Sequence, residues 1–276
     1  MGRVAVWLSA AFWLLMMGLL FKVEILPEYA AVETAGYQSM VRDIDVPVVR
    51  EMAVMKDGER VGTSTTVITP EPDGTFRISN SSEVDVQMGV VAARANASFN
   101  LTLDEEKHLR ELFLRVDIAG QRAGVSGRPA DGRLELRISI GGETFTHTVP
   151  YDDSMFSSYF NPFATAGRLS VGQEWRTRFL DPLRQKVTTA RVRVVGRERI
   201  SLQIREGAPP VTFDAYKLVM SWGAIELNAW ATRDGLVLKE ETPWGYTLVY
   251  REPEEEEEND RADAGEQGLR PEAGRK

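Results

Sequence analysis

Residue types that support catalysis or metal binding are few in this sequence. The chain has two histidines, His108 and His147, and no cysteine. The absence of cysteine excludes disulfides, thiolate metal sites, a cysteine nucleophile and a lipid-attachment cysteine. Metal or acid–base chemistry would therefore depend on the two histidines. His147 shares one strand face with Phe145 and Val149, which favours a packed or partly exposed strand histidine over a metal ligand or a catalytic base.

Asp152 and Asp153 are adjacent carboxylates, and paired carboxylates can serve acid–base chemistry. Neighbouring residues of an extended chain point apart, however, and aspartates are common where loops begin. The sequence contains no Gly-rich phosphate loop and no G-x-S-x-G nucleophile elbow. We therefore expect no catalytic residue, no metal, no cofactor and no enzymatic activity. A hydrolase is the last of the alternatives.

The formal net charge of −8 is concentrated at the C-terminus. From Glu252 to Lys276 there are ten acidic and four basic residues, which gives this tail −6 and leaves the rest of the chain close to neutral. Nucleic-acid binding needs clustered lysine and arginine, so we expect no nucleic-acid partner. Residues 253–276 include five consecutive glutamates and predict a disordered acidic tail.

The N-terminal segment has the length and composition of a membrane span. Residues 4–21 are uncharged, lie between Arg3 and Lys22, and would form a helix of about 27 Å, close to the hydrocarbon thickness of about 30 Å. We expect residues 1–24 to be an uncleaved transmembrane signal anchor, with a cleaved signal peptide as the alternative. The short N-terminal stub predicts a single-pass protein of the inner (cytoplasmic) membrane, N-terminus inside and C-terminal domain in the periplasm or outside.

The body of the chain alternates apolar and polar residues. After a linker at residues 25–36, residues 37–252 are predicted to form one antiparallel β domain. The clearest strand is 134–140, where every second residue is apolar, so that one face is buried and the other is solvated. The same period occurs at Val84, Val86 and Met88, at Phe99, Leu101 and Leu103, at Leu112, Leu114, Val116 and Ile118, and at Ile200, Leu202 and Ile204.

Turn signals of one kind separate these strands. They are Asp57-Gly58, Asp73-Gly74, Asp131-Gly132, Gly141-Gly142 and Asp234-Gly235. Each favours a tight hairpin, because these residues tolerate the positive φ of type I′ turns. Consecutive hairpins predict an all-β, mainly antiparallel meander that rolls into a half-barrel, a barrel-like sheet or a sandwich to protect its edges.

The longest connection, residues 150–169, is rich in aromatic residues. A long loop inside a compact domain is often functional, so its rings are candidates for a contact surface or a lid. The alternative is that the loop folds back and its rings plug one end of the barrel. The residues concerned are Phe156, Tyr159, Phe160 and Phe163.

Three segments resemble a family of bacterial envelope proteins. Residues 54–62 look like a first hairpin, residues 169–175 (L-x-V-G-x-x-W) like a central segment, and residues 229–240 like a closing hairpin with a tryptophan strand. In this order they are similar to the LolA/LolB-like, lipoprotein-carrier-like superfamily and its uncharacterised periplasmic relatives. The resemblance implies an open, strongly curved antiparallel sheet whose concave side holds a hydrophobic guest such as an acyl chain. Unlike the lipoprotein members, this chain has no cysteine and carries a membrane helix instead.

Two functional hypotheses follow. The first is a membrane-anchored binding or accessory module of the bacterial envelope that holds a hydrophobic or lipid-like ligand, or a lipoprotein segment, in the groove of the sheet. The alternative is a non-catalytic scaffolding subunit that contacts other envelope proteins. The candidate groove residues are Leu136, Ile138, Leu202 and Trp230.

Overall fold

A computed structural model of the chain describes residues 32–33, 41, 44–88, 91–151, 163, 168–181 and 186–253. The predicted anchor at 1–24 and the acidic tail after Pro253 lie outside these residues. Across the described ranges, no helix has the length and apolar character needed to cross a bilayer.

The described residues form an all-β structure. In chain order the strands are β1 (Val32–Glu33), β2 (Val48–Lys56), β3 (Glu59–Pro70), β4 (Phe76–Met88), β5 (Val91–Leu103), β6 (Leu109–Ile118), β7 (Gln121–Ala130), β8 (Arg133–Ile140), β9 (Glu143–Pro150), β10 (Glu174–Asp181), β11 (Lys186–Leu202), β12 (Val211–Trp222), β13 (Ile225–Ala231), β14 (Val237–Glu241) and β15 (Tyr246–Arg251). The predicted strands at 84–88, 99–103, 112–118 and 134–140 are therefore confirmed, and the one at 200–204 is confirmed as far as Leu202.

All strands belong to a single open sheet with the order β1-β10-β11-β12-β13-β14-β15-β2-β3-β4-β5-β6-β7-β8-β9. The fourteen strands β2 to β15 pair antiparallel with their neighbours, and the two-residue β1, which lies in the predicted linker, pairs parallel with β10. The antiparallel meander is thus confirmed, and the described residues form one sheet rather than the two of a sandwich.

The sheet consists of two meanders, β2–β9 and β10–β15. They are joined in the middle, where β15 pairs with β2 and Leu248 lies opposite Val54. The segment at 229–240 is a hairpin of β13 and β14, as the sequence suggested. It does not end the sheet, because β15 follows it. β15 is the last strand of the chain, and it pairs with β2, the first long strand.

Three of the five predicted turns are tight hairpins with positive φ at both central residues, namely Asp57-Gly58, Asp131-Gly132 and Gly141-Gly142. The prediction is wrong for the other two, because at 73–74 and 234–235 only the glycine has positive φ. These turns are wider. The amide of Glu71 donates to the carbonyl of Thr75, and that of Thr232 donates to the carbonyl of Leu236.

One face of the sheet carries most of the buried residues, and we call it the inner face. In β3–β8 it carries side chains that pair across the strands and are at most 4% exposed, namely Ile68, Ile78, Leu101, Leu112 and Leu136. Strand register continues this face through β15 into Ala229 and Leu218 of the second meander. The opposite, outer face is rich in charged side chains.

Candidate binding site on the inner face

The inner face of β10–β13 is filled. Trp175, Val192, Leu218 and Leu227 pack there in one apolar cluster, and each is buried. Phe163, from the connection between β9 and β10, lies in the same cluster with no exposed surface. At this residue the connection is folded back into the core. Phe156, Tyr159 and Phe160 lie outside the described residues.

The inner face of β2–β9 is filled at only one end of its strands. The closed end carries the row of buried residues from Ile68 to Leu136, against which Val41 and Ile44 pack. Further along β8 and β9 the same face becomes exposed, although it still carries apolar residues. Ile140 is 57% exposed and Phe145 is 52% exposed, yet both continue the alternation of Leu136.

The row between the closed and the exposed parts runs across eight strands, and we call it the boundary row. Its residues, each paired with the next, are Arg50, Thr66, Asn80, Phe99, Leu114, Val125, Ile138 and Phe145. The first three are polar and the other five are apolar. The row therefore changes from cationic and polar on β2–β4 to apolar on β5–β9.

Hydrogen bonds connect the polar side chains of this region. The Asn80 amide nitrogen donates to the Ser64 hydroxyl at 3.1 Å and to the Thr66 hydroxyl at 3.0 Å. Ser82 donates to Ser64 at 2.8 Å. Ser82 also lies 3.2 Å from Asn80 Oδ1, so its single hydrogen can go there while Ser64 donates to Ser82; the Thr66 hydroxyl hydrogen has no side-chain or backbone acceptor among the described residues. We call Arg50, Ser64, Thr66, Asn80 and Ser82 the polar strip.

Arg50 is the cationic end of the polar strip. Burial lowers the pKa of its guanidinium, and interaction with Tyr250 acts in the opposite direction. The two acids closest in register are committed elsewhere, since Glu51 pairs with Arg60 and Glu252 with Arg205. Within the described part of the chain, Arg50 has no carboxylate partner.

Charges of the outer face form a contrast with Arg50. Arg94 contacts Glu83 at 2.7 Å and Asp85 at 3.0 Å, and Arg128 contacts Glu111 at 2.9 Å. These exposed pairs neutralise each other and contribute little to stability. Arg50 differs from these arginines, because it is half-buried on the inner face and forms no ion pair with any described residue.

Glu240 is a second ionisable group on the inner face, located in β14 between Ala229 and Leu248. Burial raises the pKa of its carboxyl to about 7. It has no side-chain hydrogen bond or ion pair to any described residue. Glu240 is far from the exposed apolar residues, because β15 and β2–β7 lie between its strand and β8 in the sheet.

The structure does not bring the four predicted groove residues together. Leu136 and Ile138 are in β8 on the inner face, Leu136 in the closed row and Ile138 in the boundary row. Leu202 and Trp230 belong to a separate cluster with Ala215, which lies on the outer face. The sequence alone could not separate these two pairs, because alternation shows which residues share a face of one strand but not which faces of distant strands meet.

Trp230 is held on the outer face by polar neighbours. Its indole nitrogen donates to Glu198 at 2.7 Å, and the ammonium groups of Lys217 and Lys239 lie 5.3 Å and 4.6 Å from the ring centre. This hydrogen bond is the main reason that the pKa of Glu198 is lowered, with Lys217 acting in the same direction. Trp230 is 6% exposed, so its contacts are structural.

The two histidines lie apart. His147 is half-buried on the inner face, opposite Leu136. His108 is exposed in the loop after β5, where its Nδ1 lies 3.5 Å from Glu106 and 3.9 Å from Asp104. These three residues could in principle share a metal ion. Exposed acidic groups of this kind are common without one, and no further feature of the described residues points to a ligand there.

The polar strip was missed by sequence reasoning. In residues 63–66 every side chain is a small hydroxyl or methyl-hydroxyl group, so the alternation that identifies an inward face is absent. Arg50 likewise looks like an ordinary surface charge. One sequence signal could have identified this region. Residues 63–66 of β3 are polar on both faces of the strand, whereas most neighbouring strands are apolar on one face.

The fold and this face define the protein as an all-β domain with one open sheet. No family model and no curated protein matches the sequence. Among solved structures, the chain is similar to a β-barrel-like protein of the domain of unknown function DUF1849 from Brucella abortus, with 8% identity, a TM-score of 0.48, and coverage of 75% of this chain and 95% of that chain. It is also similar to a DUF1089 family protein from Pseudomonas aeruginosa, with 18% identity, a TM-score of 0.36, and coverage of 66% and 90%.

Proposed function

We propose that this protein is a membrane-anchored, extracytoplasmic binding module of the bacterial envelope that holds a hydrophobic or lipid-like ligand on the concave face of its sheet. The observation that carries the proposal is the apolar exposed part of the inner face. Ile140 and Phe145 continue the pattern of the core, yet about half of each side chain is in solvent. Contiguous exposed apolar surface of this kind marks binding sites.

We infer that the sheet curves around this surface. The inner face is buried although the described residues include no second sheet and no helix to cover it. A sheet can shield one face in this way by bending around it, which produces a half-barrel with a concave interior. The resemblance of residues 54–62, 169–175 and 229–240 to the LolA/LolB-like superfamily supports the same arrangement, because that superfamily is associated with acyl-chain guests.

The expected anchor at residues 4–21 sets how such a module works. A protein tethered to the inner membrane does not diffuse between membranes. It therefore holds or presents a ligand at the surface of its own membrane. We propose a binding protein rather than an enzyme, and the described residues of the inner face include no nucleophile hydrogen-bonded to a base.

Photo-crosslinking in cells tests the proposal directly. Phe145 is replaced by p-benzoylphenylalanine in the full-length protein, and after irradiation the purified protein is analysed by mass spectrometry. We expect adducts with the mass of lipids or lipid-like molecules. Phe113 provides a matched control, because it is a 38% exposed phenylalanine of β6 that pairs with Ser126 on the outer face. The control position should give no such adduct.

Other outcomes contradict the proposal. Equal labelling of the two positions would show that lipid contact is non-specific. Adducts at position 145 with proteins alone would favour the scaffolding function instead.

A further inference from the structure

We propose that the ligand of the inner face is an amphiphile with an anionic headgroup, which Arg50 and the hydroxyl group of Thr66 bind while its apolar chain extends over the apolar part of the boundary row. This inference rests on the proposed function, because it assigns a chemical class to the ligand of the same face.

The first argument is the unpaired charge. Arg50 is half-buried on the inner face, and its neighbours Glu51 and Glu252 already have arginine partners at 3.5 Å and 2.6 Å. Burying part of a cation without a counter-charge is unfavourable. An anionic group of a ligand would supply that charge, and a guanidinium binds carboxylate and phosphate oxygens with two parallel hydrogen bonds.

The second argument is the orientation of the hydrogen bonds beside Arg50. Thr66 lies opposite Arg50 in register, and Ser64 is two residues away on the same face. Both hydroxyls accept hydrogen bonds from Asn80, which fixes their oxygen atoms and leaves the Thr66 hydrogen to donate, whereas that of Ser64 can be donated to Ser82. A cation beside a hydroxyl donor is complementary to an oxyanion, whereas it offers little to a cationic headgroup.

The third argument is the direction in which the polarity changes. The boundary row changes from Asn80 to Phe99 between β4 and β5, and it stays apolar to Phe145. With strands about 4.8 Å apart, Arg50 and Phe99 are separated by roughly 14 Å along the sheet. A headgroup held by Arg50 and Thr66 therefore directs its chain past Asn80 toward Phe99 and Leu114, and an extended chain of 18 carbons, roughly 20 Å long, ends near Leu114.

Three probes with known headgroups test the inference. Oleate and oleoyl lysophosphatidic acid are anionic, and methyl oleate has the same chain without charge. Full-length protein with p-benzoylphenylalanine at position 114, four strand spacings or about 19 Å from Arg50 on the same face, is held in amphipol, and the probe concentration for half-maximal adduct formation is measured by mass spectrometry. We expect at least one anionic probe to bind tenfold or more tightly than methyl oleate, which corresponds to about 1.4 kcal/mol.

Substitution of the arginine then identifies the headgroup site. Arg50→Gln should reduce the affinity for the anionic probe to that for methyl oleate, and Arg50→Lys should retain part of it. Binding of methyl oleate should be unchanged, which also shows that the variant is folded. Arg115→Gln is the matched control, because Arg115 is an exposed arginine of β6 opposite Ser98 and lies over the outer-face ring of Phe113. It should change nothing.

The outcomes separate the two proposals. Preference for oleate identifies a carboxylate headgroup, preference for lysophosphatidic acid a phosphate headgroup, and equal binding of both a general anion site; each supports the inference. Equal affinity for charged and uncharged probes, unaffected by Arg50→Gln, overturns the headgroup inference while the apolar groove stands. Absence of any probe adduct at position 114 overturns the inference, and absence of lipid adducts at position 145 in cells overturns the proposed function.

Discussion

The two meanders of this sheet use their inner faces differently. In β10–β13 the inner face is packed against Trp175, Phe163 and Leu169, so burial and stability account for its apolar residues. In β2–β9 burial accounts for only one end, because the apolar pattern continues to Ile140 and Phe145 where it gains little from folding. The exposed part therefore needs another explanation. A ligand supplies one, since it would cover these residues as Phe163 covers the other half.

The largest expected effect concerns stability, and it separates the filled half from the exposed part. Leu218 in β12 has no exposed surface, so Leu218→Ala leaves a cavity and should lower the free energy of unfolding by about 3 kcal/mol. For a domain of this size the melting temperature should fall by roughly 6–12 °C. Thermal unfolding of the full-length protein in detergent, followed by tryptophan fluorescence, measures the change.

Ile140→Ala is the matched substitution in the exposed part. Because most of Ile140 is already in solvent, it should cost less than about 0.5 kcal/mol without ligand. An equal loss of stability in the two variants would show that the exposed part is in fact packed.

The next effect is a pH dependence that belongs to the filled half. The pKa of Glu240 is raised to about 7 from an ordinary 4.5. Between these values the folded protein keeps a proton that the unfolded chain has lost, so stability should fall as the pH rises from about 4.5 to about 7. Glu240→Gln should remove this loss, on the order of 2 kcal/mol. It is measured from melting temperatures at pH 4.5 and pH 8.

Glu241→Gln serves as the control, since Glu241 is on the opposite face and bonds to Lys239 at 2.6 Å. If Glu240→Gln and the unchanged protein have parallel pH profiles, then Glu240 is ionised and solvated in the folded state.

The smallest expected effect is on stability, and it concerns two glycines of β7. Gly127 lies in the closed end of the inner face of β2–β9, and Gly124 does not. A Cβ at Gly127 would lie 2.9 Å from Leu136 and 3.3 Å from Leu112, so Gly127→Ala should destabilise by about 1 kcal/mol. In the same strand Gly124 faces outward, and its nearest neighbour would be 3.7 Å away. Gly124→Ala should be neutral or slightly stabilising. Urea unfolding of both variants distinguishes them, and equal midpoints would place the border of the closed end elsewhere.

Much of the fold could be predicted from local patterns. Alternation predicted β4, β5, β6 and β8, because a strand with one buried face repeats every two residues. The tight turns at 57–58, 131–132 and 141–142 were predicted from residues that tolerate positive φ. The wider turns at 73–74 and 234–235 were not, since a glycine with positive φ fits several loop lengths and the dipeptide does not select among them.

The candidate site was only partly predictable. Ile138 was identified and lies in the boundary row, but Arg50 and the hydroxyls of Ser64 and Thr66 were not. Their importance depends on two absences among the described residues: Arg50 has no carboxylate partner, and the Thr66 hydroxyl has no acceptor. Leu202 and Trp230 have the alternation of an inward strand, yet the bulge between Val194 and Gly196 and the register of β12 and β13 place them on the outer face. A single shift of register reverses the face of every later residue.

The sequence by itself determined the strands, the antiparallel meander and the apolar share of each strand, because these depend on residues a few positions apart. The tertiary structure decided that β15 joins β2, that Phe163 and Leu169 fill one half of the inner face, and that Arg50 lies without a carboxylate partner at the edge of an exposed apolar surface. These features arise from contacts between residues that are far apart in the chain. The free energy of such contacts depends on which faces meet and on which groups are left unpaired, and no local pattern contains that information.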